Sequence, residues 1–160
     1  MAISYDSVGN PLSYKGNLHS WTKGRLLSRV LEPADNNGGT IITRAITPID
    51  ESYSTSFEYN AGGIRTKKNW FNPITDVTTT TEYKLSGTTI LSETTTGAYN
   101  RTIRYIYTNN ELVGFEYNGN PYYYRKNLFG DIVEVYNSEN NLVASYTYDA
   151  WGQLHVWSKC

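Results

Sequence analysis

Four stretches of the chain alternate apolar and polar residues with a period of two. Tyr53, Phe57 and Tyr59 form one set, and Ile103, Tyr105 and Tyr107 a second. Val113, Phe115 and Tyr117 form the third, and Leu142, Ala144, Tyr146 and Tyr148 the fourth. Alternation puts each set on one side of a β-strand. The opposite sides carry Ser, Thr, Glu and Arg, which predicts an antiparallel sheet with one wet face. No segment of ten or more residues carries a helical stripe. The best helix candidate is Gly24 to Leu31, where Leu27, Val30 and Leu31 fit the i, i+3, i+4 spacing. The threonine runs Thr78 to Thr81 and Thr94 to Thr96 lie beside Val77, Tyr83, Ile90 and Leu91, so they read as strands. Leu31 to Thr47, broken by Pro, Asn-Asn and Gly-Gly, reads as an irregular loop near 31–40 followed by a strand.

Between the strands the same short pattern recurs. Asp6 precedes Gly9 by three, Asn60 precedes Gly63, and Asp149 precedes Gly152; Asn137 and Asn140 make a weaker copy. Asp or Asn suits the first position of a type I turn because its side chain bonds backbone two residues on. A left-handed residue at the fourth position lets the chain rejoin the next strand. A tyrosine stands before the acidic or amide residue at Tyr5, Tyr59 and Tyr148, and an apolar residue soon after reopens a strand, as Leu154 does. Each unit is a β-hairpin corner.

Composition agrees with an all-β class. Tyrosine accounts for 15 of the 160 residues, while the strong helix formers are sparse. This length fits a single domain, 1–160. The 14 basic and 15 acidic residues leave a net charge of -1, with no cluster that suggests a nucleic-acid partner. The longest apolar runs are four or five residues, too short for a membrane span. No secretory signal is visible after Met1. A lone Cys160 excludes an internal disulfide framework and a cysteine metal site.

Candidate chemistry is thin. Asp131, Glu134 and Asp149 are near in sequence and would be the carboxylates of a hydrolytic pair. Turn chemistry already accounts for Asp131, beside Gly130, and for Asp149, and Glu134 is expected to face solvent. His19 and His155 are far apart, with no ligand-spaced partner around either, so no metal or cofactor is expected. Trp21, Trp70, Trp151 and Trp157 are candidate stacking platforms for sugars, although aromatics at strand spacing more often fill a sheet face. Trp151, inside a turn, is the one residue on which glycan binding rests.

"YDSVGNP" with "SYKGNLHSW" and "KGRLL", then "FEYNAGGIRTKK", and above all "YYYRKNLFGDIVEVYNSENNLVASYTYDAWGQL" at Tyr122 to Leu154 resemble the RHS or YD-repeat family. The Asn127, Gly130, Asp131 turn belongs to the most specific of these stretches. The family includes bacterial RHS proteins, cocoon components of insecticidal toxin complexes, and teneurins. The resemblance implies antiparallel hairpins in a curved sheet, part of a larger spiral shell that encapsulates or presents a C-terminal toxin without catalysis of its own. It implies as site residues the corners Tyr5, Asp6, Gly9; Tyr59, Asn60, Gly63; Asn127, Gly130, Asp131; and Tyr148, Asp149, Gly152. A chain of this length is expected to be a fragment, and its sheet edges to self-associate or join the remainder of a longer shell, with toxin as cargo. A secreted or cell-surface location follows from the resemblance alone. No Asp-Pro occurs, so autoproteolysis is not implied. The competing expectation is a cell-surface adhesion module that binds glycans through exposed aromatics.

Overall fold

The computed structural model describes residues 3–32, 52–149 and 151–158. Thirteen β-strands and no helix occur among them. They fall into two units, one of Met1–Lys84 with Thr95–Asn100, the other of Leu85–Thr94 with Arg101–Cys160. The first holds β1 (Ser13–Tyr14), β2 (Asn17–Thr22), β3 (Leu26–Glu32), β4 (Tyr53–Tyr59), β5 (Arg65–Asn72) and most of β6 (Val77–Ser86). The second holds most of β7 (Thr89–Thr96), then β8 (Arg101–Thr108), β9 (Glu111–Tyr117), β10 (Asn120–Lys126), β11 (Ile132–Asn137), β12 (Leu142–Tyr148) and β13 (Leu154–Ser158). Within each unit the strands lie in chain order and every observed pairing is antiparallel.

The proposed helix from Gly24 to Leu31 is instead a turn running into β3. Lys23 and Gly24 take positive φ, 47° and 82°, which closes the β2–β3 connection. Val30 then pairs with His19 on one side and Thr55 on the other. Two flanking strands supply every backbone partner, and this overrides a three-residue helical spacing too short to nucleate. The loop near 31–40 and the strand after it lie outside the described residues, apart from Leu31 and Glu32 at the end of β3. Both threonine runs are strands, in β6 and β7.

The two faces of each unit differ. In the first, Glu58, Lys67 and Glu82 stand abreast on β4, β5 and β6, with Lys67 Nζ 3.9 and 3.2 Å from the two carboxylates. One step along, Asn69 donates to Ser56 and accepts from Thr80 at 2.9 Å. The bond to Glu82, with the two negative neighbours, raises the Lys67 pKa above its ordinary value. On the other face Tyr53 stacks on Trp70, ring centroids 6.1 Å apart, and the Arg65 guanidinium lies 4.1 Å from the Phe57 centroid. The buried residues here are threonines: Thr79, Thr81 and Thr95, with the hydroxyls of the last two 3.0 Å apart. The Thr79 hydroxyl accepts from the Ala98 N–H at 3.4 Å, so these buried hydroxyls have partners.

The second unit repeats this division. Arg104–Glu116 (3.7 Å) and Arg125–Glu134 cross between strands on one face. Opposite, the register aligns Phe115 with Tyr122 and with Tyr105, and Tyr124 with Val135. Phe115 stacks on Tyr122 at 5.1 Å and leans on Tyr124 at 5.5 Å. Val135 is the buried apolar residue among those described.

Gly114, in mid-strand on β9, marks a close approach of backbones: a Cβ there would lie 2.3 Å from the Tyr122 carbonyl oxygen. Gly114→Ala is therefore expected to separate β9 from β10 and cost about 2 kcal/mol or more in denaturant unfolding. An unchanged unfolding midpoint would refute the close approach.

Candidate functional site

The carboxylates of a hydrolytic site are all engaged elsewhere. Asp131 accepts from Asn127 Nδ2 at 2.9 Å. Asp149 Oδ1 accepts the amide N–H groups of Trp151 and Gln153, both at 2.9 Å. Glu134, expected to face solvent, is largely covered and holds Arg125 with one oxygen and the Tyr136 hydroxyl with the other. That bond, ahead of burial, raises the Tyr136 pKa. His19 meets Trp21 edge-on, and among the described residues no group of three His, Cys, Asp or Glu side chains could hold a metal. No helix among them is long and apolar enough to cross a membrane.

The recurrent corners share one geometry. In each, the Asp or Asn carbonyl accepts from the residue three on: Gly9 at 3.2 Å, Gly63 at 3.1, Gly130 at 3.1, Asn140 at 3.0 and Gly152 at 3.1. The side-chain oxygen of Asp6, Asn60, Asn127, Asn137 or Asp149 accepts from the residue four on at 2.8–3.0 Å. That residue's carbonyl in turn accepts the N–H of the Asp or Asn, at 2.9–3.0 Å. The fourth residue is left-handed, with φ 79° at Gly152 and 61° at Asn140. This is a type I turn closed by a bulge.

A second device recurs one step earlier. Trp21, Tyr59, Tyr107 and Tyr148 each stand at a register shift just before a turn. Each reaches back across the neighbouring strand to a backbone carbonyl: Trp21 Nε1 to Pro11 (2.9 Å), and the hydroxyls of Tyr59 to Leu27 (2.7), Tyr107 to Ile90 (2.9) and Tyr148 to Ile132 (2.9). Leu27, Ile90 and Ile132 lie at the start of the strand that leaves the previous turn on the same edge, and Pro11 just after the Asp6 corner. The bulge re-aims the side chain, and the polar tip ties one hairpin to the next. Asn10, buried, adds a bond to the Gly24 carbonyl at 2.5 Å, and Lys23 one to Asn60 at 3.2 Å. Sequence spacing carries no sign of these ties, whose partners are 10 to 37 residues apart.

Two surfaces remain for binding. The aromatic face of the second unit forms an open concavity of about 540 Å³ lined by Phe115, Tyr117, Tyr122, Tyr124, Val135 and Tyr146. Burial, then the neighbouring Tyr146 and Tyr107, raises the Tyr124 pKa. Burial and a bond to Glu93 raise that of Tyr105 further still, so both phenols remain neutral. The other surface is at the corner tips, where Trp151 is 93% exposed. Trp21 and Trp70 are committed to Pro11 and Tyr53; the side chain of Trp157 lies outside the described residues.

A side chain at Gly152 would meet no neighbour but would be forced to φ 79°. Gly152→Val is expected to lower stability by more than about 1 kcal/mol; an unchanged melting temperature would defeat the turn geometry. Acid should act on one corner selectively. The Asn10 amide, foremost, holds the Asp6 pKa below its ordinary value. The stabilisation from Asp6 is thus complete above the free carboxylate range and lost as pH falls through and below about 4. Amide exchange at Val8 and Asn10 is expected to accelerate over that range, relative to its intrinsic rate, before exchange at Ile64, whose cap Asn60 does not titrate. Equal acid sensitivity at the two corners would contradict this.

No family model matches the chain. The tRNA3(Ser)-specific nuclease WapA of Bacillus spizizenii is 27% identical over 153 residues, 94% of this chain and 6% of that protein. Among solved structures, TcdB2–TccC3 aligns with TM-score 0.69 at 14% identity, covering 97% of this chain and 8% of the other. TcdB2–TccC3–Cdc42 gives 0.67 with the same identity and coverage. The Photorhabdus luminescens Tc holotoxin pore gives 0.68, at 14% identity over 97% of this chain and 7% of the other. The chain thus spans less than a tenth of the proteins it matches. Strand order, corner geometry and these solved neighbours agree with the motif resemblance: the fold of this chain is that of the RHS/YD-repeat shells.

Proposed function

We propose that the chain is a non-catalytic wall segment of an RHS-type shell, working outside the cell, whose corners hold the strip together and whose aromatic face meets an enclosed polypeptide. The observation that carries this reading is the one-sided chemistry of the second unit. Arg104–Glu116 and Arg125–Glu134 cross one face, while the other, beside an Arg101–Glu93 pair that the Tyr105 hydroxyl joins, holds a half-buried aromatic concavity of about 540 Å³. Tyrosine-rich surfaces suit unfolded chains because they offer large, stiff, amphipathic contact area at little entropic cost. The engaged carboxylates, and neighbours drawn from toxin complexes, support a structural role. The nuclease activity in WapA's name belongs to that protein, of which the matching part is 6%. Glycan binding at Trp151 finds less support. The corner two strands away carries Leu128 and Phe129, a more apolar setting than a sugar-binding aromatic uses.

A reduced and alkylated, permanently unfolded polypeptide is expected to slow amide exchange across β9–β12. Tyr124→Lys should abolish that protection. No protection by saturating polypeptide, or protection equal in the variant, would contradict the lining role. Incubation with tRNA is expected to leave it intact; cleavage by the purified chain would overturn the non-catalytic reading.

A further inference from the structure

The five corners differ most in chemistry at the two tip residues, between the cap and the left-handed position. These are Ser7-Val8, Ala61-Gly62, Leu128-Phe129, Ser138-Glu139 and Ala150-Trp151. The hydrogen bonds common to all five corners come from the cap residue and from backbone N–H and C=O groups. Ser138-Glu139 builds the turn on the same cap bonds as Leu128-Phe129, with one more from Asn141 Nδ2 to the Glu139 carboxylate at 3.1 Å. The turn therefore does not need apolar tips. Yet Leu128, Phe129 and Trp151 are 102%, 91% and 93% exposed, so no intramolecular packing explains them either.

These three residues share one edge. The Asn127 corner joins β10 to β11 and the Asp149 corner joins β12 to β13, so both tips project from the same end of the second unit, two strands apart. At ordinary strand spacing the separation is roughly 10 Å. The polar Ser138-Glu139 tip belongs to the β11–β12 turn, at the opposite end. The tips themselves carry no charge. The nearby carboxylates of Asp131 and Asp149 are turned into their own corners.

We propose that this edge is a self-recognition surface, taken by the same edge of a second copy of the chain. Two apolar tips a fixed distance apart are self-complementary about a two-fold axis midway between them. The axis lays Phe129 of one copy against Trp151 of the other, and does so twice, as an isologous interface requires. Three side chains at near-full exposure offer on the order of 500 Å² per copy, or about 1,000 Å² in all. That lies at the lower edge of specific interfaces and corresponds to a reversible dimer. The surface is separate from the concave face assigned to enclosed polypeptide, so either reading can fail without the other.

Sedimentation of the whole chain over a concentration series tests this. The expected result is a monomer–dimer equilibrium. Leu128→Ser with Phe129→Glu leaves the cap Asn127 and the left-handed Gly130 in place, so the turn should form; that variant and Trp151→Glu should each weaken association at least about tenfold. Combining Phe129→Glu with Trp151→Lys should recover part of the association, because each tip faces the other kind. Val8→Ser, at a different corner, should change nothing. Monomer at every concentration would overturn the proposal, as would a dimer indifferent to both tips. So would a lack of recovery in the charge-paired variant while its circular dichroism stays native. Co-sedimentation of wild type with phosphatidylcholine vesicles, lost in the tip variants and without dimerisation, would overturn it in favour of lipid.

Discussion

The bond from an aromatic tip back to a carbonyl on the neighbouring strand is the interaction on which the rest of this structure depends. Among the described residues buried side chains are few: Asn10 and three threonines in one unit, one valine in the other. Burial of apolar area, the usual main source of stability, is correspondingly diluted. A hairpin without a second layer is marginal by itself. Trp21, Tyr59, Tyr107 and Tyr148 compensate by lying across the adjacent strand and fastening it near the turn, where a ladder would otherwise fray. Tyrosine suits this duty because its ring is apolar and its tip is polar. Three of the 15 tyrosines serve as these ties.

The remaining chemistry follows from the same arrangement. With backbone partners in place, each face is free to specialise. One carries cross-strand ladders such as Glu58–Lys67–Glu82, whose exposed members contribute modestly to stability and keep that face wet. The other carries phenols held neutral by burial, chiefly Tyr105 and Tyr124. The carboxylates near the corners are consumed in shaping them. Such a distribution is consistent with the structural role proposed above.

Strands and corners were legible in the sequence because both are local. Alternation at Val113, Phe115 and Tyr117 reports one strand, and the Asp149 to Gly152 spacing reports one turn. The failure at Gly24 to Leu31 shows the limit: three residues at helical spacing lost to pairing with β2 and β4, which no local window reveals. The staples were invisible for the same reason, since Tyr59 and Leu27 meet only after two turns have formed. Glu134 was misread as solvated because Arg125 and Tyr136 surround it through register and bulge. The apolar tips were read in part. Trp151 stood out, but Phe129 did so only once its exposure and its place two strands away were known.

Amide hydrogen exchange across the first unit in Tyr59→Phe is the most direct test of the staple. The substitution keeps the ring and removes only the bond to Leu27. At the ordinary worth of such a bond, about 0.5–1.5 kcal/mol, exchange should quicken together in β3, in β4 and at the Asn60 corner. Acceleration limited to the neighbours of residue 59, or none at all, would show that the hairpins are coupled by their ladders alone.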